Sequence, residues 1–395
     1  MSKIQEMIDR MCPEGVEYKK IKDVFTRIKG TPITATLMKE IASEEGDVRI
    51  FAGGKTVIDA KRERIPKANI TTVPSLVVQS RGVIDFIFYD KPFTFKNEMW
   101  GYTHQEPIYV KFLGYVLKNN VEYFRRKASE TGSLPQISLP VTEEYEIPVP
   151  PLEVQEEIVK VLDNFSELTA ELTAELTARK KQYDYYRETL INGQDESVNR
   201  VPLSEVGTFT RGRRFVRNDI VEEGYPCIHY GDMYTYYGLT ATQTKTFIKE
   251  ELASRLRFAH KNDVVVVAAG ENDEDIGIGV AWLGDSAPAV HDACLVFSHK
   301  QNPRYISHYL RTHTYHQQIK KYVSSAKISA ISADGVGKAM IPLPSLEEQE
   351  RIASILDRFD SLTSSLSEGL PAEIKARQQQ YEYYRDQLLT FKRAN

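Results

Sequence analysis

The sequence predicts an α+β chain in which two strand-rich globules are carried on a two-helix coiled coil. Three observations lead there. The segment IPVPPLEVQEEIVKVLDNFSEL (147–168) returns as IPLPSLEEQERIASILDRFDSL (341–362), with 12 identities in 22 positions and no gap. A repeat of this size outranks any local feature in deciding architecture. Each copy then runs on for roughly 40 residues with apolar side chains at threes and fours, the stripe of a coiled-coil helix. Between the copies, β-branched runs bounded by Gly, Pro or Asp read as strands.

In chain order, residues 1–15 form a short leading helix and 16–146 the first globule. Its strands include PSLVVQS and VIDFIFYD, and QEPIYVKFLGYVLKNNVEYFRRKA is its helix. The helical segment 147–191 opens on Pro150 and Pro151, which suit an extended lead-in and a first turn. Its stripe is Ile158, Leu162, Phe165, Leu168, Leu172, Leu176, Tyr183, Tyr186 and Leu190. At its centre Leu-Thr-Ala-Glu recurs every four residues, slightly more than one helical turn. A linker, 192–197, leads to the second globule, 198–340. That globule shares a frame with the first (Val16/Val198, Val24/Val206, Gly30/Gly212) but little content. It contains the strands DVVVVAA and GIGVAWL and the helix NPRYISHYLRTHTYHQQIKKYV. The last segment, 341–395, starts with a Ser345/Glu348 capping box. Its stripe is Ile352, Leu356, Phe359, Leu362, Leu366, Leu370, Ile374, Tyr381, Tyr384 and Leu388. Gly369 and Pro371 put a kink or weak point into it. The coiled coil is expected to join Leu162, Phe165, Leu168, Leu172 and Leu176 with Leu356, Phe359, Leu362 and Leu366. The endings QYDYYRETL and QYEYYRDQL match at an offset of 198 rather than 194, so the second copy is one turn longer.

Hydrophobic and charged contents of 41% and 27% are those of a globular protein. The longest apolar run, 264–269, is too short to span a bilayer. The charged start MSKIQEMIDRMCPEG lacks a signal-peptide core. Three cysteines, Cys12, Cys227 and Cys294, form no Cys-x-x-Cys pair, which points to a reducing, cytoplasmic setting. The net charge is −4, yet the two helical segments hold −6 of it, leaving about +2 on the rest. A polyanion site has to be local.

Catalytic constellations are missing. FAGGKT (51–56) resembles a phosphate loop, but that pattern needs a glycine where Arg49 stands, so it reads as a turn between strands. GIGVAW lacks the third glycine of a dinucleotide fingerprint. No Asn-Pro-Pro-aromatic motif and no Gly-x-Ser-x-Gly elbow occur. His308, His313 and His316 cluster without a carboxylate or cysteine to complete a metal set. GENDEDIG (270–277) does not fit a calcium loop.

Binding chemistry is present. TRGRRFVRND supplies Arg211, Arg213, Arg214 and Arg217, and CIHYGDMYTYYG supplies His229, Tyr230, Tyr234, Tyr236 and Tyr237. Arginine forks and tyrosines suit phosphates and base edges. The first globule offers Arg62, Arg64, Gln79, Arg81, Lys96 and Asn97. Among these, glutamine and asparagine can pair with adenine and arginine with guanine. These two clusters together point to nucleic acid.

The whole pattern resembles the specificity (S) subunit of Type I restriction–modification systems. The proline-led helix starts, the Tyr-Tyr-Arg endings and the central Thr-Ala-Glu-Leu array carry the likeness, the last resembling the IC subgroup. The resemblance implies that 16–146 and 198–340 are target-recognition domains, each reading one half of a split site on double-stranded DNA. It implies antiparallel spacer helices and pseudo-twofold symmetry. It also implies a non-catalytic chain served by two modification (M) subunits carrying S-adenosylmethionine, with or without two restriction (R) subunits using ATP and Mg. Two other readings stay open: a self-contained methyltransferase or nuclease, and a coiled-coil scaffold without DNA readout.

Overall fold

The computed structural model describes residues 2–65, 69–128, 134–193, 198–324, 328–364 and 368–394. The chain divides into two compact units, Met1–Ala170 with Ala376–Asn395, and Glu171–Lys375.

In chain order the elements are α1 Ser2–Met11, β1 Tyr18–Lys20, α2 Ile21–Val24, β2 Thr26–Lys29, α3 Ala35–Ile41, β3 Val48–Phe51, β4 Val57–Ala60, β5 Ser75–Gln79, β6 Asp85–Tyr89, β7 Phe93–Phe95, β8 Trp100–Thr103, α4 Pro107–Asn119, α5 Val121–Lys127, α6 Leu139–Glu143, β9 Glu146–Pro148 and α7 Leu152–Asn192. There follow β10 Arg200–Pro202, α8 Leu203–Val206, β11 Gly207–Arg211, β12 Ile220–Val221, β13 Tyr225–Ile228, α9 Asp232–Thr235, β14 Thr240–Ala241, β15 Thr246–Ile248, β16 Val264–Val267, β17 Ala269–Gly270, β18 Gly279–Trp282, β19 Ala289–Val290, β20 Cys294–His299, α10 Pro303–Tyr309, α11 His313–Lys320, β21 Ser329–Ala330, α12 Ala333–Gly337, β22 Met340–Pro342, α13 Leu346–Ser364 and α14 Gly369–Leu388.

The first globule pairs its strands as β2-β8-β5-β6 and β4-β3-β7. The second repeats both patterns as β11-β20-β16-β18 and β15-β13-β19, adding β14 and β12 at edges. In each, one parallel pair (β3 with β7, β13 with β19) sits in the smaller sheet. The same short ribbon closes each globule where its helix departs: Tyr18 pairs with Pro148, and Arg200 with Pro342. The weak sequence frame is thus a shared topology.

Burial on both faces explains the unbroken apolar runs. In β5, Leu76 and Val78 join the core beneath α4, while Val77 points the other way, among Phe51, Phe93 and Phe95. Alternate residues of a strand face opposite sides, so a strand covered twice must be apolar throughout. Val264 to Val267 of β16 are fully buried in the same way.

The helices belong to these cores. Ile158 and Leu162 of α7 share a cluster with Leu113 and Val116 of α4 and with Leu388. In the second unit Tyr183 of α7 joins Ile352 and Leu356 of α13. The compact units therefore cut across the globule and helix segments read from sequence, because each globule completes its core on helix. In the first unit Phe165 meets Tyr384 at 5.5 Å between ring centroids. In the second, Tyr183 stacks on Phe359 at 6.1 Å. Leu168, Leu172 and Leu176 are half-buried.

The second helical segment departs from the expected single rod. Its α13 is described as far as Ser364 and α14 from Gly369, whose φ of +72° is not helical. A Cβ there would lie 2.6 Å from the carbonyl oxygens of Ser361 and Leu362, so only glycine fits. Leu362 is 36% exposed while Thr363 is buried, so the seam turns away from the expected leucine. Leu366 lies outside the described residues. Ser345 Oγ accepts from Glu348 N–H at 3.3 Å, the capping interaction the sequence predicts.

Candidate functional site

Each globule carries a cleft of about 630 Å³ where the ends of its two sheets meet. In the first it is lined by residues just past β3 (Ala52, Gly53), past β5 (Arg81) and past β7 (Lys96). In the second the lining comes from just past β13 (His229, Tyr230), past β16 (Ala269, Gly270) and past β19 (His291, Asp292). The same three loops build both. Leu134 and Ile328 close corresponding rims, 48% and 58% exposed. They stand at matching places in LPQIS and ISAIS. Backbone bridges back this up: Gln136 pairs with Arg81, and Ala330 with Ala269.

The frame is common and the chemistry differs. The first cleft presents Lys39, Arg81 and Lys96, with Lys96 Nζ 2.9 Å from Glu98. The second presents Arg214 and Arg217 around an aromatic floor of Phe215, His229, Tyr230 and His291. Phe215 meets the His291 ring edge-on at 4.8 Å, and His229 lies 4.5 Å from Tyr230. Burial lowers the pKa of both histidines. In the neutral state, His229 Nδ1 accepts from Gly231 N–H at 3.2 Å, which leaves Nε2–H as a donor. His291 Nδ1 accepts from Ala293 N–H, and its Nε2–H donates to the Phe215 carbonyl at 3.1 Å. Neutral donors beside arginines suit recognition of base edges and phosphate together.

Several sequence candidates lie here: Arg81, Lys96, Arg214, Arg217, His229 and Tyr230. Others serve the fold. Arg211 Nε donates to the Asp292 carbonyl at 2.8 Å and Arg213 Nη1 to that of Arg255 at 2.8 Å. Arg64 Nη2 donates to the Glu40 carbonyl, and Arg62 is exposed on the same 3₁₀ turn. Asn97 is exposed beside Lys96, and Tyr236 is 57% exposed with Lys245 over its ring. Tyr234 OH donates to the Ala269 carbonyl at 3.3 Å. Two expectations need correction. Gln79 is 5% exposed within β5, and Tyr237 is 9% exposed with its hydroxyl accepting from Lys245 N–H. Neither lies in the cleft: Gln79 lines a separate small cavity beside Phe51 and Lys55, and the Tyr237 hydroxyl is engaged by its own loop.

Sequence reasoning missed Phe215, His291, Leu134, Ile328 and Lys39. The LPQIS/ISAIS match would have found two of them. FAGGKT forms the β3–β4 hairpin turn, where Ala52 N–H donates to the Thr56 carbonyl at 3.0 Å and Gly54 has φ +74°. His316 Nε2 pairs with the Leu310 carbonyl, and His308 is buried against Asp357. Burial pushes the thiols of Cys227 and Cys294 up to about 12, which makes them poor nucleophiles. Among the described residues no helix is long and apolar enough to cross a membrane, and no three His, Cys, Asp or Glu cluster as metal ligands.

Known proteins share this plan. A putative type I restriction enzyme specificity subunit of Haemophilus influenzae is 35% identical over 256 residues, 62% of this chain and 63% of that protein. The EcoR124I/EcoR124II specificity subunit of Escherichia coli is 36% identical over 249 residues, 61% of this chain and 60% of its own length. The chain thus spans about three fifths of the length of these curated relatives. The crystal structure of a Type I restriction–modification system S subunit from M. genitalium superposes with a TM-score of 0.60 at 18% identity, covering 95% of this chain and 96% of that one, a likeness of fold. The model of the Type I restriction modification DNA specificity domain matches residues 13–179 and 195–376, both helix–globule repeats, and the chain belongs to that family.

Proposed function

We propose that this chain is the non-catalytic specificity subunit of a Type I restriction–modification assembly. In this reading, 16–146 and 198–340 are target-recognition domains, each reading one half of a bipartite duplex site through its cleft. The observation that carries it is the cleft built twice from the same loops, with a lysine–arginine lining in one globule and an arginine–histidine–tyrosine lining in the other. A shared frame with divergent lining is what two readers of different bases require. The helical segments then act as antiparallel spacers with pseudo-twofold symmetry, and the Thr-Ala-Glu-Leu array is the feature that favours the IC subgroup. The repeated helices offer two equivalent seats for M subunits, which bring S-adenosylmethionine and methyl transfer. R subunits, where present, bring ATP, Mg and cleavage. The cytoplasm, where chromosomal DNA and reduced cysteines coexist, is the setting.

The test is to co-express the chain with its M subunits and sequence the methylated sites. Arg214→Ala with Arg217→Ala is expected to relax only one half-site, and Arg81→Ala with Lys96→Ala only the other. Each pair removes two cationic contacts, so binding should become less salt-dependent by roughly two counterions. Uniform loss with unchanged half-sites would remove the clefts from base readout.

A further inference from the structure

The repeat sets Asp163 and Asp357 at the same position of the two helical segments. Neither lines a cleft. Each instead faces the principal helix of its own globule with both carboxylate oxygens engaged. In the first unit Lys111 Nζ donates to Asp163 Oδ2 at 2.8 Å, and Tyr115 OH to Oδ1 at 2.7 Å. In the second, Arg304 donates to Asp357 Oδ2, and His308 Nε2 to Oδ1 at 2.9 Å. The donor pairs stand four residues apart on α4 and on α10. They do not occupy matching positions: counted from Pro107 and Pro303, they differ by about one helical turn. The acceptor is common to the two units while its donors differ.

Apolar packing already attaches each globule to its helix, through Leu113, Val116, Ile158 and Leu162 in the first unit. Such packing is non-directional and lets surfaces rock or slide. Two charge-assisted or ring-donor bonds to separate oxygens of one carboxylate are directional. They fix rotation and pitch as well as proximity. Partial shielding strengthens them: the Lys111 and Asp163 side chains are 35% and 28% exposed, and His308 is fully buried. The second carboxylate is braced further, since Tyr183 OH meets His308 Nδ1 at 3.3 Å and Arg304 also pairs with Glu350.

We propose that Asp163 and Asp357 are positioning residues that lock the angle of each recognition globule on its spacer helix, and so restrict the half-site separation the chain accepts. This rests on the reading above, in which the globules read two half-sites. A globule of this size is roughly 35 Å across. Rocking by about 6° at its helix would move the far side by about one base-pair rise, 3.4 Å. The carboxylates act on spacing, while the clefts act on base identity.

The experiment uses the full chain with its M subunits and reads the spacer length at every methylated site. Wild type is expected to use a single spacer. Asp163→Ala and Asp357→Ala should each add sites one base pair longer or shorter, enriched roughly tenfold, the factor that loss of a charge-assisted hydrogen bond supports. The half-site sequences should not change. Exchanging the pair, Lys111→Asp with Asp163→Lys, restores the ion pair but not the Tyr115 bond, and should return most methylation to the original spacer. Variants that methylate only the original spacing, at whatever overall rate, overturn the proposal, as does spacing in the exchanged pair that is no tighter than in Asp163→Ala. Where an alanine variant fails to fold, Asp163→Asn and Asp357→Asn carry the same comparison. Hydrogen exchange adds a readout independent of DNA: Asp357→Ala should speed exchange in α10 and spare β16, and unchanged protection of α10 also overturns the proposal. A wild-type complex that methylates no bipartite site would instead overturn the functional reading itself.

Discussion

At the scale of single residues, the second globule holds a histidine tuned against charge. Burial lowers His299 to about 4, and its Nδ1 accepts from Gln301 N–H at 3.2 Å while Nε2 is buried without a partner. The folded state keeps this imidazole neutral, whereas the unfolded chain takes up a proton near pH 6.5. The stabilisation is therefore complete above pH 6.5 and is lost as pH falls towards 4, at most about 3 kcal/mol. Other histidines with lowered pKa act in the same direction, so the informative quantity is a difference between proteins. Thermal unfolding of wild type and His299→Gln should diverge least near pH 4 and most near pH 7 if the native imidazole packs better than the amide. The wild-type midpoint should fall more steeply over that interval. Parallel curves would remove His299 as the cause. Residue types were legible from sequence here, but burial was not: Gln79 is enclosed as the last residue of β5, whereas Arg81, past the end of that strand, lies exposed at the cleft.

At the scale of elements, the helices show what periodicity can and cannot say. The stripe from Ile158 to Tyr183 foretold α7, and Gly369 with Pro371 foretold a weakness in the second segment. Sequence did not reveal that the weakness brings Gly369 into a left-handed conformation, because that depends on the close approach of the chain to the Ser361 and Leu362 carbonyls. Gly369→Ala forces a side chain into φ +72° and a 2.6 Å contact. It should cost about 1–2 kcal/mol from the backbone alone, and more from the clash. Chemical denaturation should record this as a lower midpoint. An equal midpoint would mean that α14 can start elsewhere at no cost. Leu362 was misjudged for a related reason: near an interrupted helix the 3.5-residue seam need not continue, and Leu362 turns outward while Thr363 is buried.

At the scale of the whole molecule, the proposed function makes helix length the quantity that sets half-site spacing. Four added residues extend a helix by about 6 Å and rotate its end by about 40°. One base pair adds about 3.4 Å and 34–36°. Rotation thus comes near one base pair and translation near two, each to within about 15%, and in the proposed reading globules docked in grooves tolerate axial strain better than a rotational error. Duplicating residues 169–172 should thus lengthen the methylated spacer by one base pair. An unchanged spacer would defeat the ruler, and a two-base-pair increase would show that translation governs.

The sequence by itself determined the duplication, the order of globule and helix, and the family, because repeats and apolar periods are written along the chain. It also determined the sign and type of chemistry, arginines and aromatics without a catalytic set. Tertiary structure alone decided which of those residues meet. A cleft at the ends of two sheets gathers loops from residues as distant as Arg214 and Ile328, and strand register, not sequence proximity, brings them together. It likewise decided what Asp163 and Asp357 grip. A carboxylate on a helix reads as a solvated surface charge until a second helix packs against it and supplies the donors.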